Sequence, residues 1–362
     1  MLGYFKKIKL TNYRNFKKYE CEFSKKSNVL FGKNGSGKTN ILESISLFGK
    51  GTGLRKDSIV NLIKKDENQF INFGNYFDNN NFNEIKILSD KRNDRHIKKI
   101  YLNNNNDMNS INYIKSIFSF LFFVPDMERL FTSSPNMRRN FFDNLIFSSD
   151  NNYNTLLNKY KKNISERSKI LNLQSYDKVW LEKIESNIAK LGIEIYNNRN
   201  KQIDILHVHL RELNNKKKLP FFPKISHNDH LVNSDLTFEK YLSELKNSRT
   251  LDQLIGGAKY GPHKSDFEIN IKNNFNASQL STGQQKTIIL SFLFAQCNYL
   301  VNECKIFPIL LMDEVCSYLD ENNRDVLLEL TNYFDLQIFF TGTNKNLFSF
   351  LSTNANFYNI TE

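Results

Sequence analysis

The stretch GKNGSGKT at residues 32–39 constrains the fold more than any other part of this 362-residue sequence. It fits the pattern G-x-x-x-x-G-K-[ST], in which glycines let the backbone wrap around phosphate groups with its amide N–H groups pointing inward. The apolar stretch NVLF (28–31) precedes it, and apolar residues at helical spacing follow it from Asn40 to Gly49. A strand, this loop and a helix in that order predict nucleotide binding within an α/β fold.

The residues of this phosphate loop have separate predicted roles. Lys38 would reach the β- and γ-phosphates and support catalysis, and Thr39 would offer its hydroxyl to Mg²⁺. The predicted ATP-binding residues are Gly32, Lys33, Asn34, Gly35, Ser36, Gly37, Lys38, Thr39 and Asn40. The motif therefore predicts ATP and Mg²⁺ as cofactors.

Two carboxylates follow a second apolar run, in ILLMDEV at residues 309–315. A buried strand here would place Asp313 near Thr39, where its carboxylate would help to hold Mg²⁺. Glu314 is placed to polarise an attacking water molecule. An ordinary solvated turn would also explain two acids after a strand, but the phosphate loop in the same chain favours ATP hydrolysis.

The stretch LSTGQQK (280–286) predicts a helix N-terminus, which favours anions through its free N–H groups and dipole. Since residues 32–39 already hold the local phosphates, we expect Ser281, Gly283 and Gln284 to contact the γ-phosphate bound to a second copy of the chain. A plain helix capped by Ser281 is the alternative. Asp320 follows Asp313 by seven residues and is expected in a loop at this dimer seam.

The hydrophobic pattern divides the chain into three segments: residues 1–125, 126–254 and 255–362. The outer two are α/β, and neither holds a complete parallel sheet, so we expect them to form one ATPase lobe. Apolar residues at helical spacing in the middle segment predict a helix over 153–171 and a second over 180–213. The second helix would run for about 35 residues, roughly 50 Å, which predicts a helical hairpin in a separate helical lobe.

Charge and composition indicate the type of partner and the compartment. The net charge is +12, and residues 1–38 carry ten basic and two acidic side chains. This excess suits a polyanion such as DNA, although the codon bias of an AT-rich genome would also enrich lysine. The apolar stretch 117–124 is shorter than a membrane span, no signal peptide is visible, and the four cysteines form no C-x-x-C pair. These features predict a cytoplasmic protein without a membrane partner.

Taken together, the motifs resemble the ATPase heads of the ABC and SMC superfamily, whose signature is L-S-x-G-Q, and within it the RecF family. The segments that carry the resemblance are LTNYRNF (10–16), GKNGSGKTN (32–40), FVPDMERLFTSSPNMRRNFFD (123–143), YGPHKSDF (260–267) and LSTGQQK (280–286). Four positions depart from the family pattern. Lys264 and Ser265 replace Arg and Asp, Glu314 stands where Asp is commoner, and Tyr318 replaces Glu.

The resemblance implies an ABC/SMC-type P-loop ATPase head, lobe I, interrupted by an α-helical lobe II with a helical hairpin. It implies slow, DNA-linked ATP hydrolysis by a homodimer that ATP assembles on double-stranded DNA, gapped DNA or a single-strand/double-strand junction. The partners would be RecO and RecR, with RecA loading as the outcome. In FTGTN (340–344), Thr341 or Thr343 would sense the γ-phosphate.

Four further residues have two interpretations each. Arg14 and Asn15 are expected to approach the nucleotide, with a plain surface turn as the alternative. Arg138 and Arg139 are expected to contact DNA or the partner subunit, with a solvated helix face as the alternative.

Other ATPase classes fit the sequence less well. Transporter ATPases have a much shorter spacing than the 242 residues between Thr39 and Ser281, and full-length SMC or break-repair ATPases carry long coiled coils. A DNA scaffold that binds ATP without hydrolysing it remains open, because Glu314 is the main sequence feature against it.

Overall fold

A computed structural model of the chain describes residues 3–51, 53–78, 81–92, 95–217, 222–232, 236–271, 275–317, 319, 321–351 and 355–361. It divides into two compact units, residues 1–128 with 282–362, and residues 129–281. The sequence placed the second boundary after residue 254 instead. Residues 255–281 group with the helical unit because a strand within them pairs with a strand that follows the helical hairpin.

The strands are, in chain order, β1 (Tyr4–Tyr13), β2 (Phe16–Glu22), β3 (Ser27–Phe31), β4 (Ile71–Asp78), β5 (Asn81–Arg92), β6 (Arg95–Leu102), β7 (Phe120–Phe123), β8 (Lys224–Asn228), β9 (Asp266–Ile271), β10 (Phe275–Asn276), β11 (Ile309–Met312), β12 (Ile338–Gly342) and β13 (Ala355–Asn359). The α-helices are α1 (Lys38–Ser46), α2 (Ile59–Leu62), α3 (Met108–Ile117), α4 (Pro135–Ser149), α5 (Tyr153–Leu171), α6 (Lys178–Lys217), α7 (Phe238–Asn247), α8 (Arg249–Ile255), α9 (Thr282–Asn302) and α10 (Glu321–Tyr333). Short 3₁₀ helices cover Pro125–Arg129, Ala277–Gln279 and Lys345–Leu351.

A parallel sheet forms the centre of the first unit, with strand order β13-β3-β12-β11-β7. All its neighbouring strands run parallel, and every residue of β11 and β12 is buried, as expected for strands covered on both faces. The carboxyl ends of parallel strands meet at one edge. The phosphate loop after β3, the two acids after β11 and the TGTN loop after β12 are therefore neighbours.

An antiparallel sheet of order β2-β1-β4-β5-β6 completes this unit. The strands β1 and β2 form an antiparallel hairpin, and β4, β5 and β6 form an antiparallel meander that α3 follows. Stacked aromatic rings fill the core beneath the sheet. Phe5 and Phe118 lie parallel at 5.1 Å between centroids, and Phe48 packs 5.0 Å from Phe5.

The helical unit confirms the predicted hairpin, with α5 packed along α6. The 40 residues of α6 span about 60 Å at 1.5 Å per residue. The unit is not wholly helical after this hairpin, because β8 pairs antiparallel with β9. The alternation of buried Ile225 and His227 with more exposed neighbours is the period-two pattern that favours a strand there.

Two global expectations concern the membrane and the cysteines. Among the described residues, no helix combines the length and hydrophobicity needed to cross a bilayer. The four cysteines are free thiols, and Cys297 and Cys316 are buried, so none of them forms a disulfide.

Candidate nucleotide-binding site

The phosphate loop requires glycine where it enters α1. Gly37 occupies the N-cap position with a φ of 99°, a left-handed conformation that L side chains rarely adopt. A Cβ atom there would lie 2.4 Å from Cζ of Phe16 and 2.8 Å from Nδ2 of Asn15. The loop can therefore turn against the β1–β2 hairpin only because residue 37 has no side chain.

Lys38 is buried, with 4 % of its surface exposed, although it carries an ammonium group. Its Nζ donates to the carbonyl oxygens of Gly32, at 2.9 Å, and Lys33, at 2.8 Å. Burial lowers the pKa of Lys38, and the nearby carboxylates of Glu314 and Asp313 act in the opposite direction. The ammonium is thus held inside the curl of the loop by neutral oxygens, where a phosphate would be a stronger partner.

A cavity of about 510 Å³ opens beside the loop, lined by Gly32, Lys33, Ser36, Thr343 and Asn344 among others. The Oγ atom of Ser36 is buried and has no hydrogen-bond partner in the part of the chain that the structure describes. A buried hydroxyl without a partner is costly, and a bound phosphate oxygen would satisfy it. The loop residues therefore fit a phosphate ligand.

Thr39 and Asp313 meet as the sequence predicted. The Thr39 hydroxyl donates to Oδ1 of Asp313 at 2.9 Å and lies 3.0 Å from Oδ2. Hydroxyl and carboxylate oxygens are the protein ligands that Mg²⁺ prefers, usually together with phosphate oxygens. The pair therefore fits a Mg²⁺ ion beside the phosphate loop.

Thr341 connects the two acids that follow β11. Its buried hydroxyl donates to Oδ1 of Asp313 at 2.6 Å and accepts the backbone N–H of Glu314 at 2.9 Å. Glu314 has a φ of 50°, which is uncommon for a residue other than glycine and marks stored strain that its surroundings must hold. Thr341 thus fixes the Glu314 backbone, a role that sequence reasoning missed. Its assignment, or that of the exposed Thr343, as a γ-phosphate sensor stays a prediction.

Asn15 lies against the phosphate loop, whereas the guanidinium of Arg14 is paired with a carboxylate of α1. Nδ2 of Asn15 donates to the carbonyl of Ser36 at 3.4 Å, and Oδ1 of Asn15 accepts from Asn40 at 2.8 Å. The guanidinium of Arg14 instead forms a bidentate ion pair with buried Glu43, at 2.8 and 2.6 Å.

The expectation that Arg14 approaches the nucleotide therefore gives way to a supporting role beneath α1. No local signal in the sequence indicates this pairing, because Glu43 lies opposite Ile41 and Ile45 on the predicted helix.

The signature residues lie at the start of α9. Ser281 directly precedes the helix and is exposed, while Gly283 and Gln284 occupy the first turn and are partly exposed. Asp320, the predicted seam residue, and Tyr318 lie outside the described residues.

Lys286 ties the signature helix to the loop that carries the two acids. It is buried, pairs with Glu128 at 2.8 Å, donates to the carbonyl of Val315 at 3.2 Å, and also contacts the carbonyl of Ser317. Sequence reasoning matched this lysine to the signature but gave it no function. The contacts join the first turns of α9 to the chain leading away from Glu314.

Arg138 and Arg139 differ in their surroundings within the helical unit. Arg138 forms a bidentate ion pair with Asp266, at 2.7 and 2.8 Å, which leaves little of its charge for DNA or a partner subunit. Arg139 donates to the carbonyl of Ser265 at 2.6 Å. Ser265, which replaces a family aspartate, is fully buried and accepts from Arg199 at 3.0 Å, so a hydroxyl occupies the position of the missing carboxylate.

Comparison with known proteins agrees with this site. The model of the RecF/RecN/SMC N-terminal domain matches residues 4–361. The DNA replication and repair protein RecF of Rickettsia rickettsii is 34% identical over 345 residues, covering 93% of this chain and 93% of its own. A solved structure of the recombination mediator protein RecF with ATP, in the RecFOR pathway, is 28% identical with a TM-score of 0.76, over 95% of this chain and 94% of that chain.

A more distant structure supports the fold alone. The Smc head bound to the C-winged helix domain of ScpA is 17% identical, with a TM-score of 0.55 over 95% of this chain and 90% of that chain. These findings confirm the predicted ABC/SMC-type ATPase head with its helical lobe. With the phosphate loop, the acids and the signature helix in place, the chain belongs to the RecF family of the RecF/RecN/SMC group.

Proposed function

We propose that this protein is an ATPase that dimerises on DNA when it binds ATP and releases the DNA after slow hydrolysis. The observation that carries the proposal is the convergence of Thr39, Asp313 and Glu314 beside the phosphate loop. Hydrogen bonds through Thr341 fix the loop that carries both acids, so the residues proposed for hydrolysis lie together within one chain.

The phosphate loop would hold the triphosphate of ATP. Lys38 would exchange its two carbonyl contacts for β- and γ-phosphate oxygens, and the unpartnered hydroxyl of Ser36 would donate to the same group. Thr39 and Asp313 would hold Mg²⁺, which neutralises charge on the phosphate oxygens as it builds up.

Glu314 would act as the general base. Glu314 is partly exposed and follows Asp313, the acid that would hold Mg²⁺, and its backbone N–H donates to Thr341. A carboxylate placed in this way accepts a proton from the attacking water as the γ-phosphoryl group departs. The resemblance of the chain as a whole to the family supports slow turnover, although Glu314 stands where Asp is commoner.

A second copy would complete the site. Ser281, Gly283 and Gln284 would contact the γ-phosphate held by the partner, with Asp320 in the adjoining seam. The exposed position of Ser281 immediately before the 21-residue helix α9 supports this, because the N-terminal dipole and N–H groups of a long helix favour an anion. ATP would then join two chains, and hydrolysis would separate them.

DNA is the proposed partner of the dimer. The net charge of +12 suits a polyanion, and RecF relatives are DNA replication and repair proteins. We propose gapped or junction-containing duplex DNA as the substrate. RecO and RecR would be the protein partners, as the RecFOR pathway of the solved relative suggests, with RecA loading in the cytoplasm as the outcome.

Sedimentation with ATP, ADP or no nucleotide, each with and without gapped DNA, tests the proposal. Of the three nucleotide conditions, only ATP should produce a dimer, and DNA should stabilise that dimer. Ser281→Arg should leave ATP binding to the monomer intact while abolishing the dimer, since the added side chain and charge occupy the contact. If this variant dimerises as the wild type does, the proposed seam is wrong, and if ATP releases no phosphate, so is the hydrolytic role.

A further inference from the structure

The helical unit contains an open cleft between α5 and the loop that leads to β9. We name it the basic cleft and define it by Lys161, Ser165, Lys169, Gly256, Gly257 and His263. Its volume is about 420 Å³. Lys161, Ser165 and Lys169 follow one another at intervals of four residues and are exposed, so they form a row along one face of α5.

A smaller recess continues from the basic cleft and shares Lys161 and His263 with it. Its volume is about 70 Å³, and α4 lines it with Asn136, Arg139 and Asn140. Since about 10–15 Å³ of this kind of volume accommodates one water molecule, the recess holds a group of about five heavy atoms. Amide and guanidinium donors thus surround a space of phosphate size.

The charges around the recess do not cancel. Asp143 is the carboxylate among its lining residues, and Arg199 already pairs with it through both oxygens at 2.9 Å. Arg139 is half-buried, and among the described residues no carboxylate forms an ion pair with it, nor with Lys161 or Lys169. A positive excess therefore remains in this part of the unit.

Burial is the main cause of the lowered pKa values of the neighbouring titratable groups. It lowers the pKa of Arg139, and the charge of Arg199 adds to this shift, whereas Asp266 and Asp143 act in the opposite direction. Burial also lowers the pKa of His263, where the bond to Ala258 acts in the opposite direction and the charges of Lys264 and Arg139 lower the pKa further. A bound anion would favour the charged form of Arg139.

The floor of the basic cleft is rigid. His263 bonds through Nδ1 to the Tyr160 hydroxyl at 2.7 Å and through Nε2 to the carbonyl of Ala258 at 2.9 Å. Tyr160 in turn bonds to Tyr241 at 2.9 Å. At Gly261, with a φ of 132°, a Cβ atom would lie 2.1 Å from the Tyr241 hydroxyl, so the loop approaches as closely as a backbone can. These bonds use both ring nitrogens of His263, so the floor gives the cleft a fixed shape and the donors for a ligand are the side chains of Arg139, Lys161 and Lys169.

We propose that the basic cleft binds the phosphate backbone of a DNA strand, with one phosphate seated beside Arg139 and others along Lys161 and Lys169. Eight residues of helix separate the two lysines by about 12 Å, which corresponds to three to four steps of about 3.4 Å measured along the axis of a DNA duplex. A row of charges at this spacing suits a chain of phosphates better than one compact anion. The inference rests on the proposed function, since it takes DNA as the partner, and it identifies the surface used.

The test measures DNA affinity as a function of salt concentration for Lys161→Ala/Lys169→Ala. Losing two phosphate contacts should reduce the slope of log affinity against log salt by about two and weaken binding by about 10- to 100-fold at low salt. Lys159→Ala is the matched control, because this exposed lysine lies on the opposite side of α5 from Lys161 and does not line the cleft. The control should bind DNA as the wild type does.

Arg139→Gln extends the test into the recess and should lower the slope by about one, with helical content measured by circular dichroism to check its fold. The inference is overturned if the double variant keeps the wild-type affinity and slope, or if it loses ATP affinity instead, which would assign the cleft to nucleotide phosphates. Failure of the wild type to bind DNA would be a different result, and would refute the proposed function itself.

Discussion

Two buried cations in different units have opposite surroundings. Arg167, with 1 % of its surface exposed, contacts Glu185 at 3.0 Å, Asp252 at 2.7 Å and the carbonyl of Leu245 at 2.6 Å. Arg249 then covers the remaining charge of Glu185. Lys38 is nearly as buried but is held by two carbonyl oxygens. Carboxylates that pair directly with Arg167 compensate its charge, whereas among the described residues no carboxylate forms an ion pair with Lys38, on which Glu314 and Asp313 act only at longer range.

This difference separates residues that hold the structure from residues that await a ligand. Burying an ion is tolerable when fixed carboxylates compensate it, and removing one member of such a set leaves the others buried without partners. A buried cation held only by neutral oxygens keeps a strong affinity for an incoming anion. The same contrast distinguishes Arg138, paired with Asp266, from Arg139, which lines the recess.

The largest expected effect concerns hydrolysis at the proposed nucleotide site, where Lys38 awaits its ligand. Glu314→Gln removes the base but keeps the size of the side chain and the backbone bond to Thr341, so phosphate release should fall by about 10²- to 10⁴-fold. ATP binding should persist, and a long-lived ATP dimer should accumulate on DNA. Glu239→Gln, at the start of α7, is the control. A variant that hydrolyses ATP at the wild-type rate would exclude Glu314 as the base.

Arg167→Ala tests the structural side of the comparison. It leaves Glu185 and Asp252 buried without their central partner, and the free energy of unfolding should fall by about 3–5 kcal/mol. Urea denaturation followed by circular dichroism measures the change, and Arg211→Ala, on the exposed side of α6, is the control. ATP affinity under native conditions should not change. A loss below about 1 kcal/mol, the size expected for exposed pairs, would contradict the assignment.

Lys38→Ala is the counterpart of Arg167→Ala. It should lower ATP affinity and leave the free energy of unfolding nearly unchanged, the reverse of what is expected for Arg167→Ala. ATP affinity should fall by about 100-fold, since charge-assisted contacts to two phosphates contribute about 3 kcal/mol, and dimerisation should be lost with it. Stability should hardly change, because no carboxylate depends on this lysine. Lys17→Ala, an exposed lysine in β2 outside the phosphate loop, is the control. Marked unfolding of the Lys38 variant would show that both cations are structural.

Much of the first unit could be predicted because its signals are local. Strand, loop and helix around residues 27–46 follow from a motif and a periodicity, and the meeting of Thr39 with Asp313 follows from the rule that parallel strands share an edge. The strands β7 and β13 were not predicted. They are four and five residues long, β13 contains two asparagines, and the two strands pair with β11 and β3 respectively.

The partners of charged residues were the least predictable part. Arg14 pairs with Glu43 across 29 residues, and Arg138 pairs with Asp266 across 128, so neither pairing appears in a local pattern. The same limit applies to Thr341, since its two bonds cross from β12 to the loop after β11. A sequence shows which side chains carry charge, whereas tertiary packing decides which of those charges remain available to a ligand.

The smallest expected effect concerns Thr341. Its hydroxyl bonds to both Asp313 and Glu314 but carries no charge, so it is neither a compensated cation nor a cation that awaits a ligand. Thr341→Val keeps the shape of the side chain but leaves the Glu314 N–H without its acceptor and Asp313 without one donor. The turnover rate should fall by about five- to tenfold, corresponding to about 1–1.4 kcal/mol for one lost hydrogen bond, while ATP-driven dimerisation persists. Thr341→Ser retains the hydroxyl and should recover most of the rate. The contrary result is a valine variant that binds ATP but fails to dimerise. That outcome would make Thr341 the γ-phosphate sensor that the sequence predicted, with a hydroxyl that contacts the γ-phosphate rather than positioning the acids.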